Sequence, residues 1–221
     1  MLKRTSLGYL NSYISKKKNW KILDLGCGYT ANYNANYIAD VIDLSKFYKN
    51  KNFTHIISKK LPFKNKFFDF VITSHVIEHV DDLDFFINEI QRIGHRGYIE
   101  LPTRLEDNLV LHNNNIKDHK WMFYFDDNKK LLIANKKIGF IEPFVTLGLL
   151  NEKFRKYYRE SLVIELLWEK KIEYKKIMPK SIVNNQLFFL TIFKKYCSYY
   201  ARKNKLGLII FLILIIYLFF I

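Results

Sequence analysis

ILDLGCG at residues 22–28, VIDL at 41–44 and FDFVITSHVIEHV at 68–80 are the stretches that decide how this chain folds. The first reads as a buried strand over residues 21–25 that ends in Asp24-Leu25-Gly26-Cys27-Gly28. Glycines at a strand end let the backbone approach a ligand closely, because no side chain intervenes. Asp24 at that edge is placed to receive an ammonium group or backbone donors. Asp43 follows nineteen residues later, at the end of a second short strand read over residues 40–44. A carboxylate in that position accepts both hydroxyls of a ribose in nucleoside-binding α/β folds. Further strands are expected at 54–57, 68–73 and 97–101. Between the last two, Leu83, Phe86, Ile87, Ile90 and Ile93 recur at helical spacing, with Asp81 or Asp82 as the cap. Strands alternating with crossovers predict a mostly parallel α/β sheet flanked by helices, with ligands at the strands' carboxyl ends.

Working outward, residues 121–125 and 131–134 flank a polar turn and read as a hairpin. A helical stretch at 151–168 and a strand near 172–177 complete a body expected to end near Pro179. The division predicted is a basic N-terminal segment (1–20), a catalytic body (21–179), a basic aromatic-rich segment (180–205) and an apolar tail (206–221).

That tail, LGLIIFLILIIYLFFI, carries no charge. As a helix it spans roughly 24 Å, a little under the roughly 30 Å hydrocarbon core. Lys194, Lys195, Arg202, Lys203 and Lys205 precede it with no acidic residue among them. The positive-inside pattern then predicts a single-pass C-terminal anchor with the body facing the cytoplasm. The first twenty residues hold no apolar core of signal-peptide length.

The formal net charge of +15 is spread along the whole chain, without arginine clusters or a recognition motif, so nucleic acid is not the expected partner. The two cysteines, Cys27 and Cys197, are too far apart in sequence to suggest a disulfide framework.

Taken in order and spacing, ILDLGCG, VIDLS, Leu61-Pro62-Phe63 and FDFVITSHVIEHV closely resemble the small, type 11 class I S-adenosylmethionine-dependent methyltransferases, from about Lys21 to Pro102. The resemblance implies a Rossmann-like methyltransferase fold with S-adenosyl-L-methionine as cofactor. It implies that Asp24, Gly26, Cys27 and Gly28 wrap the methionine moiety. It further implies that Asp43, with Leu44, holds the ribose, that Leu61 flanks the adenine, and that Ser74 and His75 line the methyl-donor pocket. The chain departs from the pattern in two places. Tyr29-Thr30-Ala31 follows Gly28 where a third glycine is usual, and Ile57 stands where an acid often precedes the Leu-Pro-Phe.

Other readings use the same residues. Gly26-Cys27-Gly28-Tyr29-Thr30-Ala31 formally matches a dinucleotide fingerprint, but that motif needs a helix under the pyrophosphate, and the crossover NYNANYIAD is short and polar. His75-Val76-Ile77-Glu78-His79 matches the zinc pattern H-x-x-E-H, yet no third ligand motif stands nearby, so no metal is expected. Cys27 has no base placed to activate it. Methyl transfer from a sulfonium needs chiefly alignment of donor and acceptor. His79, His112 and His119 are the candidates if a general base is required, and no catalytic residue is assigned. The acceptor and the oligomeric state are not legible in the sequence. The tail favours a lipid-like or membrane-associated acceptor, and the alternative is a non-catalytic binding domain tethered to a membrane.

Overall fold

Four consecutive buried residues, Ile22–Leu25, form the central strand β2 of a seven-stranded sheet. A strand buried on both faces is mostly apolar, and this one is so at every position except Asp24. In chain order the other strands of the sheet are β1 (Leu2–Arg4), β3 (Tyr37–Asp40), β4 (Asn52–His55), β5 (Phe70–Ser74), β6 (Arg96–Pro102) and β9 (Val163–Glu169). The spatial order is β4-β3-β2-β5-β6-β9-β1. Strands β4, β3, β2, β5 and β6 run parallel, whereas β9 is antiparallel to both β6 and β1. The strand order therefore reverses between β2 and β5, which makes the crevice above their carboxyl ends the expected ligand position. A small second sheet contains β7 (Trp121–Asp126), β8 (Leu131–Lys136) and β10 (Tyr174–Ile177), in the order β10-β8-β7.

The computed structural model describes residues 2–103, 106, 118–137 and 159–178. All belong to one compact unit that ends at Met178. The apolar tail, the basic segment before it and His112 lie outside the described residues. Among the described residues no helix is long and apolar enough to cross a membrane.

Two of the described helices form on the sheet for identifiable reasons. In α1 (Leu7–Ser15) the Ser6 side chain caps the first turn through the Tyr9 N–H, and Leu10 and Ile14, one turn apart, are buried. They pack with Phe70, Ile72 and Tyr98, each side chain contributing about 1.5–3 kcal/mol by burial. In α2 (Leu83–Ile93) the Asp82 carboxylate accepts from the Phe85 N–H, and Leu83, Ile87, Ile90 and Ile93 form the buried stripe.

Three expectations from the sequence are corrected. The N-terminal segment is part of the fold. Leu2 is fully buried and pairs with Trp168, so β1 closes the sheet and α1 covers it. Residues 163–168, read as the end of a helix, belong instead to β9, which pairs with β6 over seven residues. The second parallel strand is Tyr37–Asp40, not 40–44. The apolar pair Val41 and Ile42 that suggested the later strand is 70% and 53% exposed.

Candidate functional site

The turn after β2 is built on two glycines in the left-handed region, Gly26 at φ +73° and Gly28 at φ +52°. A β-carbon on Gly26 would lie 2.5 Å from Val76 Cγ2, so the position excludes a side chain on two counts. At Gly28 the equivalent space is open, and only the backbone angle selects glycine. Two carboxylates hold the turn. Asp24 Oδ2 accepts from the Asn32 N–H at 2.7 Å, and Asp40 accepts from the N–H groups of Gly28 at 2.8 Å and Ile42 at 2.9 Å. The short polar crossover to β3 contains no helix, consistent with its sequence.

Burial sets the chemistry of this corner. Desolvation lifts the Asp24 carboxyl from 3.8 to about 6, against the Asn32 bond and with Asp40 adding to it. Burial also pushes the Cys27 thiol up to about 12, helped by the charge of Asp24. A thiol so protonated at neutral pH is no nucleophile, and the Cys27 Sγ instead contacts the Tyr48 hydroxyl.

A cavity of about 500 Å³ opens beside the turn, in the range of small-molecule sites. Its wall comes from the carboxyl ends of β2, β3 and β4 and from the start of α2. Gly26, Leu61 and His79, among the residues nominated from sequence, line it, together with Asp40, Ser58 and Val76. Leu61 is anchored from behind, its N–H donating to Glu89 Oε2 at 2.8 Å while Arg92 clamps that carboxylate. Asp43 stands three residues beyond β3, on an exposed turn outside the lining, where one oxygen accepts from the Ser45 N–H. Leu44 is buried behind it. Asp40, which occupies the strand end, was not nominated. Its signal was available as the only acid of the crossover, but the displaced strand assignment hid it.

Ser74 ends β5, and His75 follows with φ +54°, a strained angle for a residue with a side chain. Its N–H donates to the Glu100 carbonyl at 3.0 Å. Its ring lies between two carboxylates, Nδ1 at 3.3 Å from Glu78 and Nε2 at 3.2 Å from Glu100. Burial disfavours the charged imidazole, but Glu100 and Glu78 outweigh it and raise His75 to about 10, so it is cationic at neutral pH. Glu100 sits in a buried network that sequence reasoning missed entirely. Tyr98 Oη bonds Glu100 at 2.6 Å and Glu165 at 2.7 Å, and Arg159 Nη2 donates to Glu100 at 2.7 Å. Burial alone would raise Glu100, yet His75, Tyr98 and Arg159 together bring it down to about 2. The network ties the ends of β5, β6 and β9 together beneath the loop that carries His75.

The 3-10 turn Ile77–His79 brings a third element to the cavity wall. Lys120 N–H donates to the Glu78 carbonyl at 2.7 Å, and Trp121 Nε1 donates to the Val80 carbonyl at 2.8 Å. These bonds seat His119 against His79, with ring centroids 4.6 Å apart. The sequence reading set no third donor beside His75 and His79; the fold places His119 close to Glu78 and His79. Burial holds His79 below the usual imidazole range.

Residues 23–99 match the family model described as a methyltransferase domain. The chain is 38% identical over 107 residues to an uncharacterised protein of Methanocaldococcus jannaschii, MJ0638; the match covers 42% of this chain and 45% of that one. The chain thus spans less than half the length of this curated relative. Among solved structures it is similar to the PH0226 protein of Pyrococcus horikoshii, at 18% identity and TM-score 0.43, covering 76% of this chain and 93% of that one. It is also similar to a SAM-dependent methyltransferase of Archaeoglobus fulgidus, at 17% identity and TM-score 0.40, covering 75% of this chain and 95% of that one.

Proposed function

We propose that this chain, whose residues 23–99 carry a methyltransferase domain, transfers a methyl group from S-adenosyl-L-methionine to a lipid-like or membrane-associated acceptor. The observation that carries the reading is the cavity at the point where the strand order reverses, with Gly26 in its wall and the Gly26–Gly28 turn held open by two buried carboxylates. The residues present fit the cofactor. The glycine turn leaves room for a ligand at the backbone. Asp24, buried and raised in pKa, gains most from a cationic ammonium. Asp43, ionised and exposed on the turn after β3, is the acid for the ribose hydroxyls. Leu61 and Val76 supply apolar wall, for adenine and for the donor end respectively.

When bound, the sulfonium supplies an already activated methyl group. The protein's part is to orient it and keep water out, which positioning of this kind can make worth several kcal/mol. Residues 206–221 anchor the body to the cytoplasmic face of a membrane, a reading that rests on their uninterrupted apolar run and on the five cations preceding it. The anchor is what directs the acceptor assignment.

Full-length protein incubated with methyl-labelled S-adenosylmethionine and membranes should place label in the organic extract. Label confined to water-soluble acceptors would remove the lipid reading. A second reading, a tethered domain that binds the cofactor without turnover, is favoured by Tyr29-Thr30-Ala31 in place of a third glycine. Binding of S-adenosylhomocysteine with no label transferred to any fraction would select it.

A further inference from the structure

We propose that Glu78, His79 and His119 bind a divalent first-row transition cation at the wall of the cofactor cavity. The proposal rests on the methyltransferase reading for its role, not for the binding itself. One carboxylate oxygen and one nitrogen of each imidazole lie within 4.8 Å of one another. Two imidazoles and a carboxylate form a donor set that suits zinc and its neighbours and leaves coordination positions open.

An independent observation points the same way. Glu78 is fully buried, and neither of its carboxylate oxygens receives a hydrogen bond. Its polar neighbours are charge contacts at longer range, His75 Nδ1 at 3.3 Å and His119 Nε2 at 4.0 Å. Buried carboxylates are ordinarily held by direct hydrogen-bond donors, and Glu78 has only these looser charge contacts in their place.

The surroundings resemble an outer shell. The His79 ring is hydrogen-bonded to the Asp118 backbone, the kind of bond that fixes the tautomer and orientation of a ligating histidine. His119 is fixed by the Lys120 and Trp121 bonds to the turn that carries the other two donors. Tetrahedral ligands at about 2.1 Å from a metal stand about 3.4 Å apart, so closing the set requires movements of roughly an ångström. Side-chain rotation supplies that.

His79 also lines the cofactor cavity, so an ion held here lies at the cavity wall. An acceptor whose reacting atom is an oxygen would find a place in the ion's open positions. The ion would lower that oxygen's pKa.

The test is calorimetry of the full-length chain with Zn²⁺ and with Mn²⁺, alongside separate titration with S-adenosylhomocysteine. One equivalent of either metal is expected. Glu78→Gln and His119→Asn should each weaken it about a hundredfold or more, while S-adenosylhomocysteine affinity stays within about threefold and shows that the variants are folded. Should Glu78→Gln not fold, His119→Asn carries the same test. Binding of S-adenosylhomocysteine without stoichiometric metal, or metal binding unchanged in His119→Asn, overturns the proposal. Stoichiometric metal lost in the variants, with no S-adenosylhomocysteine bound by any protein, sustains the metal site and removes the methyltransferase reading instead.

Discussion

Asp24→Asn separates what the buried carboxylate costs the fold from what it gives the site. Asp24 is 4% exposed. Burial, opposed by the Asn32 bond and reinforced by Asp40, lifts its carboxyl from 3.8 to about 6. A group raised in this way holds its proton more tightly when folded. Its contribution to stability is complete below about 3.8 and is lost as pH rises through about 6. At about 1.36 kcal/mol per pH unit, the displacement from 3.8 to about 6 amounts to a loss of about 3 kcal/mol by pH 8. Asparagine has no such titration, and its amide oxygen can still accept the 2.7 Å bond from Asn32. Relative to the parent, the variant should therefore gain about 3 kcal/mol between pH 4 and pH 8, roughly 6–12 °C in Tm for a chain of this size. Thermal unfolding of both proteins, followed by circular dichroism across that range, reads it directly. At pH 8 the variant should bind S-adenosylhomocysteine about ten- to a hundredfold more weakly, as expected for loss of a hydrogen bond to a charged group. A stability difference that does not change with pH would refute the reasoning.

Asp43→Ala, on an exposed turn, should leave the melting temperature unchanged and weaken S-adenosylhomocysteine binding about ten- to a hundredfold in calorimetry. Gly26→Ala meets both the left-handed backbone and Val76 Cγ2 at 2.5 Å, so it should destabilise the fold by about 1–3 kcal/mol in denaturant titration. Gly28→Ala meets only the backbone penalty, about 1–2 kcal/mol, so loss of S-adenosylhomocysteine binding by a folded Gly28→Ala protein would mark the turn as the binding element. The full-length chain should fractionate with membranes and resist salt extraction. A chain ending at Lys205 should be released to the soluble fraction or held only at low salt. Solubility of the full-length chain without membranes or detergent would contradict the anchor.

Much of the parallel core was legible because its signals are local. Residues 70–72 and, apart from Asp24, 22–25 are short apolar runs of the kind a strand buried on both faces requires, and the stripe of α2 repeats at its own helical period behind an Asp82 cap. The elements that were misread depend on distant partners. The β1 strand is three residues long and exists because Leu2–Arg4 pair with residues 166–168. The stretch VIELLWE has apolar residues that suit a helix as well as a strand, and only the neighbouring β6 and β1 decide for the strand. The site shows the same division. Asp24 and the two glycines are adjacent in sequence, so their meeting at one turn was legible there. Glu100, Glu165 and Arg159 are brought together by the antiparallel insertion of β9, and their meeting was not. His119 was nominated only as a base, because its place beside Glu78 follows from backbone bonds forty residues away in sequence.

The claim beneath all of this is that the cavity at the end of β2 holds an S-adenosyl cofactor. Titration calorimetry of the full-length protein with S-adenosylhomocysteine, and in parallel with NADH, tests it most directly. One equivalent of S-adenosylhomocysteine should bind in the micromolar range or tighter, more weakly in Asp43→Ala, with no heat from NADH. Tight binding of NADH with no response to S-adenosylhomocysteine would contradict the account.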